Sequence, residues 1–196
     1  MSSFRPHIVG LGGTSRPQSS TEHAVRAALA AAERLGAETS FLGGEDLDFP
    51  MYAPHRPDRS EAAARMVQVL AGAHGVILAS PGYHGGVSGL MKNALDHIEE
   101  LRTAEEPYLE GRAVGCIVTA GGWQAGGGTL TALRSIVHAL RGWPTPLGVI
   151  INTSEPAFGA DGACLQSRVQ SHIETMAAQV VAFARQRQAW EAAGRD

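Results

Sequence analysis

Cysteine is scarce. The 196 residues contain two, Cys116 and Cys164, far apart and without the spacing of a metal-ligand set. They give no sign of a disulfide-stapled secreted scaffold and fit a reducing compartment. No apolar run approaches the ~20 residues that a membrane-spanning helix needs, and the N-terminus carries no signal-peptide hydrophobic region. These absences lead to the expectation of a cytoplasmic protein without a membrane segment. An excess of one charge is missing too. Sixteen basic residues against 19 acidic ones leave a net charge of -3, evenly spread, which argues against nucleic-acid or membrane-surface partners. The eight histidines form no H-E-x-x-H or comparable spacing, so no metal site is expected.

What the chain does have is alternation. "HIVGLG" (His7–Gly12) reads as a short buried strand, followed by helical periodicity from about Ser19 to Leu35. "ETSFLG" (Glu38–Gly43) is a second, weaker strand, and residues 44–58, with three prolines, read as a loop. Residues 60–73 place Ala63, Met66, Val67 and Leu70 on one helical face. "GVILAS" (Gly75–Ser80) has four apolar residues in a row, the pattern of a strand covered on both faces. An amphipathic helix is predicted over Ser88–Arg102, a fourth strand over 113–120, a helix over 129–141, a fifth strand over 146–151 and a last helix over 163–187. The tail to Asp196 is expected to fray. With no repeat or interdomain linker, residues 1–196 read as one domain with its core at about 6–187.

Strands alternating with helices imply right-handed crossovers and a parallel sheet. Five such units fit either a flavodoxin-like sandwich of strand order 2-1-3-4-5 or a Rossmann half. Both bind ligands beyond the carboxyl ends of the strands, at the switch point. The loops after the first, third and fourth strands should then be chemically unusual, and they are.

The first, "GGTSRPQSST" (Gly12–Thr21), ends a buried strand and begins a helix, where free N–H groups and the helix dipole favour an anion. Thr14, Ser15, Ser19, Ser20 and Thr21 add hydroxyls, and Arg16 offers a fork of charge-assisted bonds to phosphate. The plainer alternative is a turn in which Ser19 and Glu22 form a capping box, and the two can coexist. No G-x-x-x-x-G-K-[ST] occurs, and "GLGGTS" lacks the third glycine of G-x-G-x-x-G, so an ordinary dinucleotide site is not expected. The other two loops, "SPGYHGGVSG" (80–89) and "AGGWQAGGG" (120–128), read as a platform for a flat ring. Glycines let backbone approach, and Tyr83, His84 and Trp123 can stack or hydrogen-bond. "YHGG" also resembles an esterase oxyanion motif, but no G-x-S-x-G follows it.

Together these residues resemble the NADPH-dependent FMN reductases of the flavodoxin-like superfamily, a group that includes quinone, azo and chromate reductases. The family's G-S-x-R-x-x-S-x-[NT] pattern is met by "GTSRPQSST", with Gly13, Arg16, Ser19 and Thr21 in step and Thr14 in place of the usual serine. Its P-x-Y-[NH]-[GS]-x-x-x-G-x-[LM]-K-N-x-[LI]-D pattern is met by Pro81, Tyr83, His84, Gly85, Gly89, Met91, Lys92, Asn93, Leu95 and Asp96. Histidine stands at position 84, where asparagine is common. Gly121–Gly122 and Leu133–Arg134 also match, and the resemblance covers about residues 6–150.

The resemblance implies a flavodoxin-like three-layer α/β/α sandwich with a five-stranded parallel sheet of order 2-1-3-4-5. It implies FMN as cofactor. Thr14, Arg16, Ser19, Ser20 and Thr21 would hold the phosphate, and Pro81, Gly82, Tyr83, His84, Gly85, Gly121, Gly122 and Trp123 the ring. NADPH or NADH would pass hydride to flavin N5, and the reduced flavin would reduce free FMN, a quinone or a similar small acceptor. No acid–base side chain is required, so no catalytic residue is assigned. Family members are usually dimers or tetramers, so a homo-oligomer is expected, with Tyr52 and Trp123 covering a flavin. The competing reading is a non-catalytic flavodoxin-like electron carrier or flavin-binding module. Such carriers tend to be strongly acidic, and a net charge of -3 argues against one.

Overall fold

Four consecutive apolar residues in Gly75–Ser80 call for cover on both faces, and the fold supplies it. The computed structural model describes residues 4–194. Strand β1 (His7–Gly12) lies between β2 (Glu38–Gly43) and β3 (Gly75–Tyr83), in parallel register His7↔Glu38 and Ile8↔Gly75. β3 pairs in turn with β5 (Ala113–Ala120), from Gly75↔Ala113 to Pro81↔Thr119. A two-residue strand β4 (Gly86–Val87) folds back antiparallel on the end of β3.

The fifth position is split. β6 (Trp143–Pro144) pairs with the start of β5 and β7 (Val149–Asn152) with its end. Between them residues 145–148 face only Gly115 and Cys116, so the edge strand bulges around Pro146. Proline cannot donate to the ladder and is tolerated at such an edge. The fifth strand therefore starts at Val149 rather than at residue 146. The sheet order β2-β1-β3-β5-β6, with β7 also on β5, is the expected 2-1-3-4-5 once the hairpin strand β4 is left out.

Alternate residues of each strand enter different layers. Ile8, Ile77, Ala79 and Ile117 meet α1 (Ser20–Arg34) and α5 (Ser167–Ala192) through Val25, Leu29, Ile173, Met176 and Val180. Val9, Leu11, Val76, Leu78 and Val118 meet α2 (Glu61–Ala71), α3 (Gly89–Asp96) and α4 (Trp123–Ala139) through Met66, Leu70, Met91, Leu95, Leu133 and Val137. The result is a flavodoxin-like three-layer sandwich.

Three helices differ from expectation. The helix predicted over Ser88–Arg102 is α-helical only to Asp96 and continues as a 3-10 turn, His97–Leu101. α4 starts at Trp123, not residue 129, so Gly126, Gly127 and Gly128 are helical. Glycine is a poor helix former, but tertiary packing overrides it here, because a Cβ on Gly126 would collide with Ile150. α5 starts at Ser167, after a bridge between Phe158 and Cys164, and runs to Ala192. The tail is thus helical well past residue 187, and residues 195–196 lie outside the described residues.

Candidate functional site

The loops leaving β1, β3 and β5 converge at one sheet edge on a cleft of about 440 Å3. Its first wall is the loop before α1. Gly13 N–H donates to the Ala79 carbonyl at 2.8 Å, and Ser88 Oγ donates to the Gly13 carbonyl at 2.6 Å. The loop is thereby tied to β3 and to the start of α3. Ser19 is the N-cap of α1, its Oγ accepting from Glu22 N–H at 3.2 Å. Glu22 Oε2 accepts in return from Gln18 N–H at 2.9 Å, not from Ser19. Capping is therefore real, and it leaves the Ser19 hydroxyl proton free to serve a ligand. Ser20 and Thr21 carry N–H groups of the first helical turn, where no intrahelical acceptor exists. The Arg16 guanidinium is exposed and makes no ion pair or hydrogen bond among the described residues.

The Thr21 hydroxyl also has a partner within the fold. It lies 2.7 Å from Thr119 Oγ1 on β5, 98 residues away in sequence, and both side chains are buried. One of the two hydroxyls must donate to the other, so the pair stitches α1 to the sheet beneath the cleft.

The second wall is the β3–β4 hairpin. Tyr83 pairs with Gly86 across a two-residue turn, His84–Gly85, with φ of 51° and 84°. Both residues are left-handed, as a type I′ turn requires. Asparagine is favoured in that conformation and histidine tolerated, so His84 keeps the backbone geometry that the common asparagine would adopt. Below the turn, Ser80 Oγ accepts from Ser88 N–H at 2.9 Å and donates to the Pro81 carbonyl at 2.9 Å. Thr129 Oγ1 on α4 donates to the Gly86 carbonyl at 3.4 Å.

The third wall is the corner between β5 and α4. Beta carbons built on Gly121 and Gly122 would meet nothing within 4 Å, and the same holds for Gly85 and Gly89. These positions leave open space above the backbone, into which a flat ring can descend. Trp123 and Tyr83 stand at this edge 64% and 58% exposed. The corner is the first turn of a helix rather than the flexible loop expected.

Of the thirteen expected residues, nine line the cleft: Thr14, Arg16, Ser19, Ser20, Thr21, Pro81, Gly82, Tyr83 and Gly121. His84, Gly85, Gly122 and Trp123 belong to the same hairpin and corner but do not themselves line the cleft. The expected set omitted Ser88, Leu90, Thr119 and Thr153, which also line the cleft. For Thr119 and Thr153 the available signal was their place at strand ends on the ligand edge, since Thr153 N–H donates to the Ala120 carbonyl at 2.8 Å.

No carboxylate, imidazole or thiol lines the cleft among the described residues. Burial pushes the Cys116 thiol up to about 12, so it stays protonated at neutral pH. No group of three or more His, Cys, Asp or Glu capable of holding a metal occurs among the described residues. No helix among them is long and apolar enough to cross a membrane.

The donor set therefore fits a ligand with an anionic end and a flat end. N–H groups and hydroxyls at a helix N-terminus, beside an unpaired guanidinium, suit a phosphate. A corner bare of side chains suits a fused ring system.

Known proteins agree with that chemistry. Residues 6–155 match the NADPH-dependent FMN reductase family. The FMN-dependent NADPH-azoreductase of Staphylococcus aureus is 30% identical over 139 residues, 70% of each chain. An iron-sulfur flavoprotein of Archaeoglobus fulgidus is 28% identical over 169 residues, 82% of this chain and 83% of its own. With only two cysteines, this chain cannot supply the four thiolates of an ordinary iron–sulfur cluster. An oxidoreductase structure from Corynebacterium diphtheriae superposes with a TM-score of 0.70 at 19% identity, covering 92% of this chain and 97% of that one, and supports the fold. The chain belongs to the NADPH-dependent FMN reductase family and is an FMN-dependent NAD(P)H oxidoreductase.

Proposed function

We propose that the loop before α1 binds the FMN phosphate through Arg16, the hydroxyls of Thr14, Ser19 and Ser20, and the first-turn N–H groups of α1. Pro81, Gly82, Tyr83, the His84–Gly85 turn and the Gly121–Gly122–Trp123 corner hold the isoalloxazine ring. The observation that carries this reading is the convergence of a partner-free guanidinium and a helix N-terminus with a corner whose glycines leave room for a ring. Thr21 contributes its N–H, while its side chain holds Thr119. Bound there, FMN supplies two-electron redox chemistry between a nicotinamide donor and an acceptor. The side chains bind and orient. Tyr83 and Trp123 shield the ring edge from water, and no group of the cleft acts as acid or base.

The acceptor is a small molecule such as free FMN or a quinone. The working form is a homodimer or homotetramer in the cytoplasm, because large exposed groups at the cleft edge, Tyr83 and Trp123, call for a cover. One flavin-binding domain spans the chain. The test is to mix purified protein, FMN and NADPH in air and follow nicotinamide absorbance, with light scattering on the same sample. NADPH consumption by an assembly larger than 20.5 kDa is expected. A preparation that consumes none, or a clean monomer, refutes the corresponding part.

A further inference from the structure

Asn93, His97 and Glu100 follow one another at intervals of four and three residues through α3 and the 3-10 turn behind it. That spacing stacks them on one face, and all three reach the same target, the proline-containing segment 48–60. Asn93 is 4% exposed. Its Oδ1 accepts Tyr52 N–H at 2.8 Å, and its Nδ2 donates to the carbonyls of Phe49 at 3.1 Å and Pro50 at 3.3 Å. His97 Nε2 lies 3.1 Å from the Pro50 carbonyl. A carbonyl only accepts, so Nε2 carries the proton, and the buried Nδ1 has no partner among the described residues. The rings of Phe49 and Tyr52 stand edge-on to the imidazole, with centroids at 4.7 and 5.3 Å. Glu100 Oε1 accepts from Arg59 Nε at 3.0 Å and Nη2 at 2.7 Å, and the same guanidinium covers the Tyr52 ring at 4.7 Å.

A buried amide, and a buried imidazole with one nitrogen unsatisfied, are costly to place inside a fold. Apolar residues would fill the same positions more cheaply if only packing mattered. Polar groups here do something apolar ones cannot: they fix the backbone of an irregular segment. That segment follows β2 by way of a 3-10 turn (Gly44–Leu47), at the sheet edge that carries the cleft. Its anchor, α3, is capped by Ser88, which lines the cleft. Met51 sits between the pinned Pro50 carbonyl and the pinned Tyr52 N–H, 75% exposed. A polarizable thioether on a backbone held at both sides is a suitable contact for a flat aromatic molecule.

We propose that Asn93, His97 and Glu100 are positioning residues, a splint that holds segment 49–59 as a rigid wall of the acceptor site. Met51 is its contact for a planar, apolar acceptor. The splint sets the KM for that acceptor and takes no part in holding FMN. This rests on the flavin-reductase reading above.

Two variants test it. Asn93→Leu removes three hydrogen bonds to the segment, and Glu100→Ala removes only the solvent-side anchor, with little risk to folding. In the protein without flavin, amide exchange over residues 49–59 should quicken about tenfold or more in Asn93→Leu and about threefold in Glu100→Ala. In the FMN-loaded enzyme, KM for a 1,4-naphthoquinone should rise about tenfold in Asn93→Leu and about twofold to threefold in Glu100→Ala. The FMN Kd, kcat and the anaerobic rate of flavin reduction by NADPH should stay as in the wild type. If the segment loosens but KM holds, the splint is merely structural and the proposal is overturned, while the flavin reading stands. Equal losses in flavin reduction and KM overturn it as well. A wild-type enzyme that oxidises no NADPH overturns both. Should Asn93→Leu fail to fold, Glu100→Ala decides the question by the same comparison.

Discussion

Removing Arg16 separates phosphate binding from ring binding. Its guanidinium is the only full charge lining the cleft and has no partner among the described residues, so Arg16→Ala leaves no protein group stranded. A hydrogen bond to an ionised partner contributes roughly 1.5–3 kcal/mol, and a fork makes two of them. Against this stand the ordering of a long exposed side chain, up to about 2 kcal/mol, and screening by solvent. A net loss of roughly 1.5–3 kcal/mol corresponds to about 10- to 100-fold in FMN affinity. Riboflavin shares the ring and lacks the phosphate, so its Kd should move less than about twofold. The wild-type preference for FMN over riboflavin should also shrink between low and high salt, as the screening length contracts from ~10 Å at 0.1 M to ~3 Å at 1 M. Flavin fluorescence titrations of both ligands against both proteins at two salt concentrations measure all of this. Equal losses for FMN and riboflavin, or a salt-independent preference, would refute the phosphate assignment.

Other consequences are as specific. Gly122→Val should abolish flavin binding with native far-UV circular dichroism, because a Cβ at Gly122 meets nothing in the protein and its φ of 176° suits any residue; a fully yellow variant would remove that corner from the site. Arg112 is 5% exposed and donates to the carbonyls of Ala71, Ala73 and Glu110, with Glu106 3.2 Å away. Arg112→Ala should cost about 2–4 kcal/mol in urea unfolding, because three carbonyls lose their donor while Glu106 keeps Arg187, and should leave FMN affinity unchanged, since the residue lies at the opposite sheet edge; a loss below about 1 kcal/mol would contradict this. Burial lowers the His74 pKa from its usual 6.5, and His7 and Arg112 lower it further. Its Nδ1 accepts His7 N–H at 3.1 Å, which requires the unprotonated atom. A depressed imidazole pKa means the unfolded chain binds the proton first, so stability should fall as pH drops below 6.5 and level off once folded His74 protonates. His74→Asn, which preserves an acceptor, should flatten that part of the melting-temperature profile; an unchanged slope would refute the assignment.

What the sequence determined by itself was whatever is local or periodic. Four apolar residues in Gly75–Ser80 specify a strand buried on both faces. The glycine and hydroxyl residues of Gly12–Thr21 specify a strand-to-helix turn with free N–H groups. The order of strands and helices then puts three such loops at one edge, through the handedness of the crossovers. Each rests on side-chain period or backbone preference, which neighbours in sequence set. The tertiary structure alone decided which distant groups meet. Thr21 reaches Thr119 because α1 packs across the sheet and β3, paired with both β1 and β5, fixes the register of β5 one strand beyond β1. Gly126–Gly128 are helical against their own propensity, and at Gly126 Ile150 packs where a side chain would stand. Asn93, His97 and Glu100 lie on a recognisable helical face, but nothing nearby in sequence says that residues 49–59 cover it. Such pairings depend on the free energy of the whole packed chain, and a local pattern carries no record of its partner.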